Sequence, residues 1–164
     1  MATDPLFDEV LTLQSGAIAD TGQILVIALE EEKAEAKVDH AHLLIWNGTE
    51  WRRVASLEYS CVRACWMVDR WVVLGATGRL VIVASDGTTT ETRIYPPAGP
   101  GKRGQMKCIS WTGKQLVAVG MRNQVFFSTD ATTWVEQTQS MQAWPPLGDV
   151  NGFEGVAGAA SGAV

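Results

Sequence analysis

The sequence predicts an all-β fold built from repeated four-stranded antiparallel units. Three observations carry that expectation. Short apolar or alternating runs are closed repeatedly by Gly, Asn, Asp and Thr. The tract "ACWMVDRWVVLGATGRLVIVASDGTTTETRI" from Ala64 realigns with "CISWTGKQLVAVGMRNQVFFSTDATTWVEQT" from Cys108. A tryptophan recurs at one place in the unit, Trp66 in the first of these copies and Trp111 in the second.

The first copy starts near Ala17 with "AIADTGQILVIALE" and resumes, after an insertion, with "HLLIWNGTEWRRV". Gly22 falls where Gly113 does, Asn47-Gly48 at the corner taken by Asp130-Ala131, and Trp51 on Trp134. In the second copy Gly75 matches Gly120 and Asp86 matches Asp130, with one residue of slack. The third copy is the clearest: strands over 107–111, 115–121, 124–129 and 134–138. Its turns are Thr112-Gly113-Lys114, Arg122-Asn123 and Asp130-Ala131-Thr132-Thr133. Tight hairpins need positive φ, which these residue types supply. A fourth copy begins near Gly155 and the sequence stops at Val164, so the copies start near 17, 64, 108 and 155.

Four-stranded meanders of about 40–50 residues are the blades of a β-propeller. The expectation is therefore one propeller-type domain or fragment over 1–164: about three full blades, a partial fourth, and an incomplete ring. The tract "PLFDEVLTLQ" has strand character, and residues 1–16 could supply a closing strand. Otherwise the ring closes through further blades of a longer chain, through a second copy, or through a different chain. Open blade edges expose unpaired backbone groups, which makes an isolated monomer the least favoured state.

The tract "STDATTW" at 128–134 resembles the Asp-box (BNR) corner, Ser-x-Asp-x-Gly-x-Thr-Trp, one residue short and without its glycine. "SDGTTT" at 85–90 and "WNGTEW" at 46–51 are more distant versions. The resemblance implies a propeller in which Ser128, Asp130 and Trp134, with Asp86, Asn47 and Trp51, build turns away from any ligand site. Sialidases and sortilin-like receptors carry such corners. Physically, the carboxylate accepts backbone N–H groups across the turn and the indole covers the hairpin.

Composition narrows function further. The chain has 164 residues, 46% apolar, enough for a real core. Its net charge of −5 gives no general support for binding a phosphate backbone. Cys61, Cys65 and Cys108 are an odd number in apolar surroundings, which favours reduced thiols and a cytoplasmic setting. No leader pattern and no apolar run of membrane length is evident, so no membrane association is expected.

Catalytic signals are absent from this reading. No G-x-S-x-G elbow or phosphate-binding loop occurs. Sialidase-like chemistry needs an arginine cluster and a tyrosine–acid pair on inner strands, whereas the arginines fall mostly on turns and outer strands. His40 and His42 share a strand face beside Asp39 and offer half a metal site, with no further ligand evident; they read as solvent-facing. No cofactor, metal or enzymatic activity is expected.

Two tracts depart from the repeat, and function is commonly grafted where a scaffold is interrupted. The insertion "LEEEKAEAKVD" at 29–39 carries Glu30, Glu31, Glu32, Glu35 and Asp39 against Lys33 and Lys37. Its Glu, Lys and Ala content predicts one or two helical turns or a long loop. The connection at 139–153 carries Trp144, Pro145, Pro146 and Leu147, an aromatic and apolar stretch suited to an interface. Together they predict a non-catalytic scaffold that binds a protein partner, for example as an immunity-type inhibitor of a bacterial toxin. The alternatives are a carbohydrate-binding or sialidase-like Asp-box protein and a structural subunit of a phage-tail or other assembly.

Overall fold

The computed structural model describes residues 9–95, 104–137 and 155. They form three four-stranded antiparallel sheets, each a simple meander. The first contains β1 (Leu11–Ile18), β2 (Ile24–Glu30), β3 (Ala41–Trp46) and β4 (Trp51–Leu57), with the short helix α1 (Glu31–Glu35) between β2 and β3. The second contains β5 (Cys61–Met67), β6 (Arg70–Gly75), β7 (Arg79–Ala84) and β8 (Thr89–Arg93). The third contains β9 (Met106–Trp111), β10 (Leu116–Gly120), β11 (Val125–Ser128) and β12 (Val135–Glu136). Within each sheet every β-strand pairs with its neighbour in sequence, as tight turns between short strands require.

The first strand of each sheet lies innermost: β5 packs against both β1 and β9. This is the blade arrangement of a propeller, seen here as an open arc of three blades. Residues 11–16, offered by the sequence as part of a closing strand, instead pair with β2 inside the first sheet. Of the fourth copy, only Gly155 is among the described residues.

Strand geometry explains the core. Alternate side chains leave opposite faces of a strand, so a central blade must be apolar on both. Trp71, Val73, Val81 and Val83 of the second sheet enter one core with Leu25, Ile27, Leu43 and Ile45 of the first. Val72, Leu74 and Leu80 enter the other with Ile109, Leu116, Ala118 and Phe126 of the third. This is why β6 and β7 read as the continuous runs "WVVL" and "LVIV". Each fully buried aliphatic side chain contributes about 1.5–3 kcal/mol by leaving water. Trp66 lies opposite Trp71 across β5 and β6, ring centroids 4.8 Å apart and edge to face.

The three sheets share an irregularity that the sequence pattern hides. In each, the first strand has one residue more than its partner: Gln14 in β1, Val62 in β5 and Lys107 in β9. The bulge sits opposite Ala28, Gly75 and Gly120 respectively, so it falls at one place in the repeat. A bulge bends the strand and increases its twist, which suits strands crowded about an axis. Past that point β6 and β10 end at once, whereas β2 continues through Leu29 and Glu30, paired with Thr12 and Leu11. That extension carries the acidic insertion.

The β10–β11 turn places Arg122 and Asn123 at φ 58° and 57°, the two left-handed residues of a type I′ hairpin. The cysteines are free thiols. Burial pushes Cys61 and Cys65 up to about 12, with the Glu91 carboxylate adding to the effect at Cys61, so neither is a nucleophile near neutral pH.

Candidate functional site

At the end of the extended first sheet, Glu9, Val10, Glu30, Glu31, Glu32 and Glu35 line a pocket of about 310 Å³. Its placement follows from the chain's local structure. Glu30 ends β2, and the backbone N–H of Glu31 donates to the Val10 carbonyl at 3.0 Å, fastening the start of α1 to the start of β1. The insertion settles into one helical turn, Glu31–Glu35, closed by the Ala36 N–H on the Glu32 carbonyl. A single turn projects Glu31, Glu32 and Glu35 outward, and no residue of α1 is buried.

Two histidines anchor the other side, and here the structure corrects the sequence reading. His40 and His42 are 5% and 4% exposed rather than solvent-facing. His40 Nε2 accepts the Glu30 backbone N–H at 2.8 Å, and its Nδ1 lies 2.7 Å from the Val38 carbonyl. That pattern requires the neutral Nδ1–H tautomer. His42 places Nδ1 2.9 Å from Ser56 Oγ and Nε2 2.6 Å from Glu30 Oε1. The histidines are therefore built into the base of the insertion, because the turn after β2 leaves backbone groups that need partners away from water.

Charge is partly compensated. Lys33 Nζ donates to Glu30 Oε1 at 2.6 Å, and Arg53 Nη2 lies 2.9 Å from Glu9 Oε2. The Lys33 ammonium first, then His42, holds the Glu30 carboxyl below the usual carboxylate range. Glu31, Glu32 and Glu35 are exposed.

The structure thus brings Glu30, Glu31, Glu32 and Glu35 about one pocket and adds Glu9, which the sequence reading did not single out. Asp39 is not part of the group: it accepts the Ser60 hydroxyl at 2.6 Å. Trp144, Pro145, Pro146 and Leu147 lie outside the described residues. One ligand atom each from Glu9, Glu30 and His42 comes within 4.8 Å of the others, further ligands for His42 that the sequence pattern does not offer. The strand register, which no single strand's pattern discloses, makes the group: Leu11 faces Glu30 and Ala28 faces His42 across β1, β2 and β3.

The corner residues lie elsewhere, in the turns between third and fourth strands. Asp130 Oδ1 accepts the backbone N–H groups of Thr132 and Thr133 at 2.8 and 2.7 Å. Ser128 Oγ donates to Asp130 Oδ1 at 3.0 Å and accepts the Ala131 N–H at 2.9 Å. Trp134 Nε1 closes the turn on the Ala131 carbonyl at 3.1 Å. Asp86 Oδ1 accepts the Thr88 N–H at 2.8 Å, and Asn47 Oδ1 accepts those of Thr49 and Glu50 at 2.9 and 3.0 Å. Trp51 stacks beside Trp46, centroids 5.5 Å apart.

Comparison with known proteins bears on the fold. No family model matches the chain, and no curated protein matches it. In structure it is similar to the computationally designed Ika4 protein, with a TM-score of 0.54 and 10% identity over 80% of this chain and 74% of that one. It is similar to virginiamycin B lyase from Staphylococcus aureus, with a TM-score of 0.56 and 10% identity over 82% of this chain and 44% of that one. It is also similar to Saccharomyces cerevisiae Sqt1, with a TM-score of 0.51 and 5% identity over 79% of this chain and 35% of that one. The fold is propeller-like. The chain spans under half of the lyase and about a third of Sqt1. Among the described residues, no helix is long and apolar enough to cross a membrane.

Proposed function

We propose that this chain is a non-catalytic propeller-type scaffold that binds a protein partner through the acidic projection at the end of its first sheet. The observation that carries the reading is the convergence of Glu9, Glu30, Glu31, Glu32 and Glu35 about one pocket, on a strand extension the other two sheets lack. Exposed like charges held together by a rigid sheet create a local negative potential, which attracts and orients a basic surface. Neutralising cations at Glu9 and Glu30 leave Glu31, Glu32 and Glu35 as the outward contacts. An immunity-type inhibitor covering the basic surface of a bacterial toxin would use the same geometry, and so would a cytoplasmic assembly subunit.

Ring completion supports the same reading. Leu13 and Ile18 of β1 are 64% and 68% exposed, although the corresponding inner strand β5 is flanked on both sides. A further blade, a second copy or a different chain packed beside β1 would cover them.

Native mass spectrometry on gently purified material tests the proposal directly. A discrete complex with another chain is expected, and the triple substitution Glu31→Gln, Glu32→Gln, Glu35→Gln should slow its association by ~10-fold or more at low salt. A species of 17.7 kDa alone in every preparation would remove the partner-binding reading. Unchanged association and salt dependence in the triple variant would move the contact away from the projection.

A further inference from the structure

We propose that Glu9, Glu30 and His42 form a solvent-open, three-ligand site for a divalent transition-metal ion, with zinc the natural probe. Glu30 of β2, His42 of β3 and Glu9, two residues before β1, bring one ligand atom each within 4.8 Å of the others. Around an ion bonded at 2.0–2.2 Å, ligand atoms stand about 3–3.5 Å apart. A modest rotation of the exposed Glu9 closes that gap, because Glu30 and His42 are already 2.6 Å apart.

The surroundings match what a metal-binding histidine needs. His42 is 4% exposed, and its ring is oriented by Ser56 Oγ on Nδ1, which points Nε2 at Glu30. Such outer contacts fix the ring and raise its basicity as a ligand. A hydroxyl both donates and accepts, so Ser56 serves His42 in either neutral tautomer. Without an ion, one proton bridges Nε2 and Glu30 Oε1. With it, the neutral ring carries its proton on Nδ1, and the ion takes the bridging position. Lys33, 46% exposed, and Arg53 now compensate the two carboxylates; the ion replaces Lys33, which swings into solvent. The adjoining pocket of about 310 Å³ gives an entry path and room for water in the open coordination positions.

The donor set selects the ion. One imidazole with two carboxylates suits zinc and its transition-metal neighbours, whereas calcium and magnesium take oxygen ligands. The acidic projection, Glu31, Glu32 and Glu35, is not part of the ligand set, so this site stands or falls apart from the partner-binding reading.

Calorimetric titration of the full chain with zinc, and with cobalt to record its visible absorption, tests the site. One ion per chain is expected, bound at least ~10-fold more tightly than calcium or magnesium. Glu9→Gln, an exposed change that leaves the fold intact, and His42→Gln should each weaken binding by ~10-fold or more, and Ser56→Ala by ~10–100-fold. Glu35→Gln, at the pocket but outside the ligand set, should leave it unchanged. No saturable binding, affinity unchanged in Glu9→Gln, or an equal loss in Glu35→Gln, the sign of diffuse attraction to acidic side chains, would overturn the proposal.

Discussion

Asp130 shows how much one side chain fixes locally. Its carboxylate receives two backbone N–H groups, Thr133 first and Thr132 next, and these hold its carboxyl well below the usual range. Asp86 is lowered in the same direction by Thr88. A carboxyl depressed by folding stabilises the native state fully above the ordinary aspartate range, near pH 4, and that contribution is lost as pH falls toward the folded value. The urea midpoint should therefore stay level from neutral pH to about 5 and decline below about 4. Asp130→Asn, which keeps an acceptor oxygen without the charge, should make that acid decline shallower; an unchanged slope would show that Asp130 does not contribute to it. Asp130→Ala removes both acceptor contacts and should cost about 1–2 kcal/mol at neutral pH, by analogy with loss of a capping side chain. These residues could be read from sequence because an Asx-type turn spans three or four positions. His42 could not, since its partners are 12 and 14 residues away and reach it across strands.

At the level of the strand and its turn, Gly78 sits at φ 78° between β6 and β7, where its N–H donates to the Gly75 carbonyl. A Cβ there would lie 2.5 Å from the Tyr95 ring, itself 6% exposed and tilted against Phe126 with centroids 5.7 Å apart. Gly78→Ala combines a left-handed backbone penalty with displacement of a rigid buried ring. The expected loss is about 2–4 kcal/mol by chemical denaturation, and a loss below about 0.5 kcal/mol would mean that the ring moves freely. The expected strands lie within a few residues of those observed because turn chemistry and alternation are both local. The bulges at Gln14, Val62 and Lys107 were not legible, since an extra residue shows only against its partner strand. Nor could the insertion be resolved between a helical turn and a loop. Its residues favour helix, but a five-residue helix holds because its start is fastened, the Glu31 N–H to the Val10 carbonyl and the Glu30 N–H to His40, which also meets the Val38 carbonyl beyond the helix.

Across the whole molecule, the second sheet is the keystone, buried on both faces by its neighbours. Leu43 lies in the core it shares with the first sheet and Leu74 in the core it shares with the third, and both are fully buried. If the arc unfolds as one unit, Leu43→Ala and Leu74→Ala should each lower a single transition by about 2–5 kcal/mol. Two separate transitions, each sensitive to one substitution, would show that the blades melt independently. The outer faces tell a different story. Cys108, Val117 and Val119 form a small apolar cluster on the side of the third sheet away from the second, and Ala28 and Leu44 form another on the first sheet.

Alternation and tight-turn chemistry act over a few residues, so the all-β class, the four-strand repeat and its turn residues are legible in the chain alone. Tertiary structure alone decided which strand lies innermost, that the histidines are buried, and that Glu9 joins Glu30 and His42. Those facts depend on the register of β1 against β2 and of β2 against β3. A one-residue slip in either pairing would send the side chains to opposite faces of the sheet.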